Sequence, residues 1–182
     1  MLCFFISFAV IYSCTTEENT PPPKSPNDTP DLVVGIIVDQ LRPDYLYRYW
    51  DQYEDGGFKR LVNGGFSFRN NWFRYLQTST GPGHAAQFTG ATPSIHGLIG
   101  NGWYVRKLDR HINVIETPGT GYQGVGSLPG EHAEKSPGNM LTTTVGDELF
   151  LYTNKRSKTI GISRKDRGAI FSGRSHRGCI LV

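Results

Sequence analysis

The sequence has few cysteines and none in its body. Only three occur in 182 residues, at Cys3, Cys14 and Cys179, all near the ends of the chain. The body therefore has no thiol with which to form a disulfide framework or a cysteine-based metal site. Any metal ion bound there must be held by oxygen and nitrogen ligands.

The chain also has little excess charge of either sign. It contains 19 Lys and Arg against 16 Asp and Glu, a formal charge of +3. Basic residues cluster only within residues 155–158 and 164–177, and they form no extended stripe. Nucleic acid is therefore not expected as a partner. The glycine-rich residues 121–130 lack the Lys-Ser/Thr pair of a phosphate-binding loop.

No hydrophobic run is long enough to span a membrane as a mature helix. Residues 1–14, MLCFFISFAVIYSC, have the length of a secretory signal peptide. Their last four residues resemble a bacterial lipoprotein cleavage box, in which Cys14 becomes the lipidated residue. Residues 15–30 are polar and proline-rich, as expected of a tether. We therefore expect an exported protein of a bacterial envelope, periplasmic or anchored as a lipoprotein, with the lipid on Cys14 as its only membrane contact.

What remains, residues 31–171, has the pattern of one α/β domain. Residues 32–38, LVVGIIV, are a β-branched run typical of a strand covered on both faces. The alternation of strand and helix patterns predicts a sheet with ligand sites beyond the carboxyl ends of its strands. Further strands are predicted at 66–76 and 158–163, an irregular stretch at 97–138, and helices at 42–53, 58–63, 84–89 (stopped by Gly90) and 140–150.

Four polar side chains follow these elements and could meet at one edge of the sheet. Asp39 ends the first strand, and a carboxylate there can hold a hard or borderline cation. Thr80 lies just before or at the first turn of a short helix, where the helix dipole favours an alkoxide. Lys165 and Arg167 follow a later strand and suit an anionic group such as phosphate. Together they describe nucleophilic phosphoryl transfer.

Each residue also has a plain structural interpretation. Asp39 could cap backbone amides at a strand end, and Thr80 could be a helix N-cap. Asn101, between two glycines, suits a turn, and Lys165 with Arg167 suits a solvated charge cluster. Ser79 is the rival nucleophile.

Three stretches in this order resemble the alkaline phosphatase superfamily. They are VDQLRPDYL (residues 38–46), TGPGHAAQFTGATPSIHGLIGN (80–101) and KDRGAI (165–170). The likeness covers about residues 32–170 and is greatest to the phosphate-irrepressible alkaline phosphatase group, of the type I phosphodiesterase or nucleotide pyrophosphatase kind. Its most specific part is T-x-P-x-H, followed by T-G-x-x-P-x-x-H-G and then Asn.

The resemblance implies a fold, a cofactor and a role for each residue. The fold would be the N-terminal part of a three-layer α/β/α sandwich with a mostly parallel sheet. Asp39 would be a zinc ligand, and Thr80 would be both a zinc ligand and the nucleophile that forms a phosphothreonine. Asn101, Lys165 and Arg167 would contact the phosphoryl oxygens of small phosphorylated substrates. The family site holds two Zn²⁺ ions and hydrolyses phosphate monoesters, with phosphodiester hydrolysis as the alternative.

The resemblance also implies what the chain lacks. The remaining zinc ligands of related enzymes lie downstream of the Lys-Asp-Arg motif, so we expect this chain to turn over little substrate by itself. Residues 172–182 depart from the family, which continues with something like L-P-A-G-H, and we interpret them as an out-of-frame tail. A non-catalytic, exported anion-binding domain is the alternative from another functional class. His84 and His96 are interpreted as structural rather than metal-binding.

Overall fold

A computed structural model describes residues 30–117 and 135–173 of the chain. Its contacts divide the chain into two units, residues 1–36 and 37–182. In the first unit, residues 30–36 are exposed and belong to no helix or strand. Every described helix and strand lies in the second unit. Among the described helices none has the length and apolar character needed to cross a membrane.

The second unit begins with two short helices, α1 (Pro43–Arg48) and α2 (Phe58–Gly64), with a 3-10 turn at Trp50–Gln52 between them. Helix α1 has proline at its first position, where a missing N–H costs nothing, and an acidic residue in its first turn. The two helical predictions for this stretch are confirmed to within a few residues, except that the first is interrupted. Neither helix contains a buried residue.

Helix α3 (Thr80–Thr89) is the central element of the packed core. It ends where predicted, since Gly90 adopts φ 65° and its N–H donates to the carbonyl of Ala86 at 2.9 Å. It begins four residues before the predicted start at His84. Pro82 lies in the first turn, where its lack of an N–H leaves no intrahelical hydrogen bond unmade, so Gly-Pro-Gly does not stop the helix.

A short helix and a hairpin follow α3. Helix α4 covers Pro93–His96, and β1 (Gly102–Val105) pairs antiparallel with β2 (Arg110–Asn113). The prediction of irregular structure from residue 97 onward is wrong at this hairpin. Its turn contains Asp109 at φ 50°, a conformation that aspartate tolerates better than most residues.

Two further helices complete the packed part. Helix α5 (Val145–Tyr152) begins five residues later than predicted, because Thr144 caps it in a reciprocal capping box with Asp147. Helix α6 (Asp166–Ser172) was not predicted; it packs against α3. The fully buried side chains of the core come from these elements and the loops between them: Ala85, Leu98, Val114, Ile115 and Phe171.

The three predicted strands do not form within the described residues. Residues 32–38 and 158–163 have no ladder partner, and residues 66–76 contain only bends and irregular backbone. Their apolar side chains are exposed, with Leu32 77% and Phe66 81% accessible. A strand requires hydrogen bonds to a neighbour, and local pattern cannot supply that neighbour. The only sheet of the described part is the β1–β2 hairpin.

Several expected boundaries lie at or beyond the edges of the described ranges. The signal peptide, the lipidated Cys14 and nearly all of the tether fall outside them. The tail expected from residue 172 starts inside α6, whose last residue is Ser172. Residues 174–182 lie outside the described part.

Candidate functional site

An open cleft of about 420 Å³ contains three of the five residues expected at the site. Asp39, Thr80 and Lys165 line it, whereas Asn101 and Arg167 do not. Its remaining lining comes from the chain around Asp39, from α3 and from the start of α6: Ile37, Val38, Gln40, His84, Ser163, Arg164 and Gly168. The topology thus brings the turn after residue 38 and two helix N-termini to one place.

Thr80 and Asp39 are in direct contact across this cleft. Thr80 is the first residue of α3, and its Oγ1 donates to Oδ2 of Asp39 at 3.4 Å. Ser79, not Thr80, occupies the N-cap position, and its side chain makes no capping hydrogen bond. The N-cap interpretation of Thr80 is therefore wrong. The contact also joins two residues that are 41 positions apart in sequence, and spacing alone could not show it.

Asn101 holds the backbone beside the threonine. Its Oδ1 accepts the N–H of Gly81 at 2.7 Å, and its own carbonyl accepts the N–H of Val114 at 3.0 Å. Because the side-chain oxygen is engaged, the amide nitrogen of Asn101 is the group left to donate to a ligand. A side chain at position 81 would crowd this contact, since a Cβ built there lies 3.3 Å from Oδ1.

Lys165 and Arg167 lie at the start of α6, and their side chains differ in solvent exposure. Lys165, the N-cap residue, is exposed, whereas Arg167 is half-buried. The guanidinium of Arg167 donates from Nη1 to Asn113 Oδ1 at 3.5 Å, while its Nε is buried without a hydrogen-bond partner among the described residues. In that part of the chain neither cation is paired with a carboxylate. A cation with unused donors is suited to an anionic ligand.

Among the described residues, the ion pair of Arg110 with Glu116 is linked to Arg167 only through Asn113. Arg110 Nη2 contacts Glu116 Oε1 at 2.6 Å, and Glu116 Oε2 accepts the N–H of Asn113 at 3.2 Å. The hydrogen bond from Arg110, followed by that from the Asn113 backbone, lowers the pKa of Glu116. Glu116 therefore stays ionised and paired with Arg110, and the contact of Arg167 in this chain of hydrogen bonds is the neutral amide of Asn113.

His84 contacts the backbone of the nucleophile candidate, which agrees with its structural interpretation, although the sequence analysis did not identify the partner. Its Nδ1 lies 2.9 Å from the carbonyl oxygen of Thr80, four residues earlier on the same helix. The signal that could have found this contact is that spacing, because a polar side chain on a helix can reach the backbone carbonyl four residues earlier. The ring is about 9% exposed and lines the cleft.

The oxygen pair of Asp39 and Thr80 fits one edge of a zinc site. Two oxygens that are each about 2.0–2.2 Å from a tetrahedral zinc ion lie roughly 3.3–3.6 Å apart. The observed separation is 3.4 Å. The described residues hold no cluster of three or more His, Cys, Asp or Glu side chains with metal-binding geometry. The fit is therefore to two of the four ligands that zinc usually takes.

The chain is similar in sequence to several known proteins. The family model for type I phosphodiesterase / nucleotide pyrophosphatase matches residues 33–159. Alkaline phosphatase PhoV of Synechococcus elongatus is 49% identical over 144 residues, 79% of this chain and 26% of that protein. Alkaline phosphatase PafA of Elizabethkingia meningoseptica is 48% identical over 141 residues, 78% and 26% of the two chains. A calcium-transporting ATPase of Myroides odoratus is 43% identical over 169 residues, 93% and 28%.

The fold is similar to that of solved PafA structures. The wild-type crystal structure matches with a TM-score of 0.71 and 44% identity over 75% of this chain and 26% of that one. A PafA mutant, in which one threonine, one asparagine, one lysine and one arginine are replaced, matches with the same TM-score at 41% identity. The predicted α/β class is confirmed by this likeness. The chain spans about a quarter of the length of the relatives it matches.

Proposed function

Since the chain belongs to the type I phosphodiesterase / nucleotide pyrophosphatase family, within the alkaline phosphatase superfamily, we propose that it carries the nucleophile and the phosphoryl-binding residues of a zinc-dependent phosphate monoesterase. The observation that supports this most is the contact of Thr80 Oγ1 with Asp39 Oδ2 at 3.4 Å, in a cleft that Lys165 also lines. Small phosphorylated molecules are the substrate class.

Thr80 attacks the phosphorus in this proposal. A bond forms between its oxygen and phosphorus, and the bond from phosphorus to the ester oxygen breaks, so that the alcohol leaves with one proton. Water then cleaves the phosphothreonine, which releases inorganic phosphate and restores the hydroxyl. Asp39 holds the hydroxyl proton at Oδ2, which keeps the lone pairs of Oγ1 free for attack.

Asp39 and Thr80 are the residues of this chain that would hold zinc. When bound, a zinc ion stabilises the alkoxide of a nucleophile and neutralises charge at phosphoryl oxygens. The other ligands would come from residues outside the two described ranges or from the remainder of a longer family domain. We accordingly propose that turnover by the chain alone is far below that of its full-length relatives.

The cations favour a monoester over a diester. A terminal phosphate carries one more negative charge than a phosphodiester and one more unsubstituted oxygen, so it gains more from charge-assisted hydrogen bonds. Lys165, Arg167 and the amide nitrogen of Asn101 are the donors offered to it. None of the three is committed to a carboxylate in the described part of the chain.

A hybrid enzyme tests the proposal. Residues 32–171 replace the aligned residues of PafA, so that the full-length relative supplies the rest of the domain. With zinc present, the hybrid is expected to hydrolyse an aryl phosphate, and Thr80→Ala is expected to lower kcat by at least about 10³-fold. Ser79→Ala is the matched control and should stay within a few fold. Thr80→Ala with the parent's kcat would remove the mechanism.

The same hybrid separates the two alternatives. Lys165→Ala combined with Arg167→Ala should lower kcat/KM for the aryl monoester much more than for the aryl diester. A parent that prefers the diester would favour phosphodiesterase activity, which the description of the family model suggests. A hybrid that binds phosphate but hydrolyses neither ester would favour the non-catalytic anion-binding domain.

We also propose that the chain is exported and lipidated on Cys14 in a bacterial envelope, which rests on the sequence pattern of residues 1–30. In bacteria that express the full chain, the protein should incorporate labelled fatty acid and fractionate with membranes. Cys14→Ala should abolish the label, and an unlabelled parent would contradict the proposal.

A further inference from the structure

We propose that His84 is a positioning residue that fixes the nucleophile Thr80 through its Nδ1–H, an inference that rests on the proposed function. The Nδ1 atom lies 2.9 Å from the Thr80 carbonyl oxygen. A carbonyl only accepts hydrogen bonds, so Nδ1 must carry the proton in this contact. In the neutral ring Nε2 is then the unprotonated nitrogen.

His84 is held in place by the packing of α3 against α6. The side chain is about 9% exposed. A Cβ built on Gly168 of α6 would lie 3.7 Å from Nε2 and would collide with the Oγ of Ser163. Gly168 thus lies in ordinary packing distance of the imidazole, and it is Ser163 that leaves no room for a side chain at position 168. The imidazole therefore lies between α6 and the first turn of α3.

Three side chains hydrogen-bond to Thr80 or to the next residue, Gly81, and these side chains differ in burial. The hydroxyl of Thr80 contacts Asp39, which is exposed. The next backbone N–H, of Gly81, donates to half-buried Asn101. The carbonyl of Thr80 contacts His84. Of the three side chains His84 is the most buried, and a hydrogen bond from a buried side chain competes less with solvent.

A second buried histidine provides a built-in contrast. The Nδ1 of His96 accepts the N–H of Leu98 at 3.2 Å, so its neutral ring must carry the proton on Nε2. His96 does not line the cleft. The two histidines are thus expected in opposite tautomers, and only His84 contacts the nucleophile.

Histidine NMR on the full chain tests the geometry without zinc or substrate. Long-range ¹H–¹⁵N spectra distinguish the tautomers, at a pH well above the ordinary histidine pKa of about 6.5. The Nδ1–H form is expected for His84 and the Nε2–H form for His96, each assigned by the loss of its signals in a His→Gln variant. An Nε2–H tautomer at His84 overturns the proposal, whatever the outcome for Thr80.

Kinetics of the hybrid enzyme test the positioning itself. An asparagine places its amide N–H near the position of Nδ1, whereas a glutamine places it near Nε2. His84→Gln should therefore lower kcat about 10–100-fold with KM nearly unchanged, the cost of a nucleophile misplaced by up to about 1 Å. His84→Asn should restore kcat to within about 3-fold of the parent. Thermal unfolding of both variants shows whether each is folded at the assay temperature.

Each kinetic outcome either supports the positioning role of His84 or contradicts it. Equal losses in the asparagine and glutamine variants, or a loss carried by KM alone, would contradict the positioning role. Activity that does not depend on Thr80 would instead overturn the proposed function, and the Thr80→Ala control detects that separately. His111→Gln, on the exposed side of β2, is the surface control and should leave kcat unchanged.

Discussion

Thr80 and Asp39 contact each other, yet they belong to regions that are packed very differently. The packed region, residues 80–115 and 166–173, supplies most of the core; Ala85, Leu98 and Phe171 are 0% exposed. The exposed region, residues 37–77, contains no buried residue, and its Leu76 is fully accessible. The proposed nucleophile therefore begins a packed helix, while the carboxylate beside it lies in an exposed segment. Of the three residues proposed to bind the phosphoryl group, Asn101 and Arg167 lie in the packed region, whereas Lys165 is exposed just before it.

The largest effect that this comparison predicts concerns two phenylalanines. Phe171→Ala should lower the free energy of unfolding by about 3–5 kcal/mol, because it removes a fully buried ring and leaves a cavity. Phe66→Ala, at a ring that is 81% exposed, should change it by less than about 0.5 kcal/mol. Urea denaturation of the full chain measures both. Similar losses for the two variants would mean that the exposed region is packed in solution.

Alanine substitutions at two glycines test the same comparison, because they should change the stability in opposite directions. A Cβ at Gly81 would lie 3.1 Å from Val114 Cγ1 and 3.3 Å from Asn101 Oδ1, so Gly81→Ala should destabilise by about 1–3 kcal/mol. At Gly64, the last residue of α2, a Cβ meets nothing within 4 Å. Gly64→Ala should stabilise by about 0.4–1 kcal/mol, because it reduces the entropy of the unfolded chain. Two losses of equal size in the same urea titrations would refute the contrast.

The smallest predicted effect is a pH dependence that arises in the packed region. Burial lowers the pKa of His96, against a smaller opposing effect of its backbone hydrogen bond. Between the lowered value and the ordinary value of about 6.5, the unfolded chain binds a proton that the folded chain resists. Stability is thus complete above about pH 6.5 and falls as the pH drops through this window. His96→Gln should flatten the slope of Tm against pH there, and an unchanged slope would contradict the assignment.

The sequence predicted local features such as the end of α3 well, but it predicted poorly which segments pair as strands. Gly90 at a positive φ and the end of α3 could be recognised, because a helix stop is encoded by adjacent residues. The strands predicted at 32–38, 66–76 and 158–163 did not form in the described residues, because β-branched composition does not specify a hydrogen-bonded neighbour. The β1–β2 hairpin was missed because its turn residues, Arg106 to Asp109, lack the usual glycine.

The sequence motifs predicted which residues belong to the candidate site, because each motif specifies residue types at fixed positions along the chain. The motifs selected Asp39, Thr80, Asn101, Lys165 and Arg167, and the structure brings the first two into contact and places Lys165 in the same cleft. The role of Asn101 at the Gly81 N–H and the contact of Arg167 with Asn113 depend on how the hairpin meets α3 and α6. Those contacts span 20 and 54 positions, and no spacing rule reaches so far.

Phosphate trapped on the protein tests the central claim most directly. The hybrid enzyme, mixed with zinc and an excess of aryl phosphate and quenched in acid within one turnover, is digested and sequenced by tandem mass spectrometry. The account predicts one phosphate, on Thr80, and none in the Thr80→Ala variant. Phosphate on the adjacent Ser79, or hydrolysis at the parent rate with no phosphorylated residue at any quench time, would contradict it.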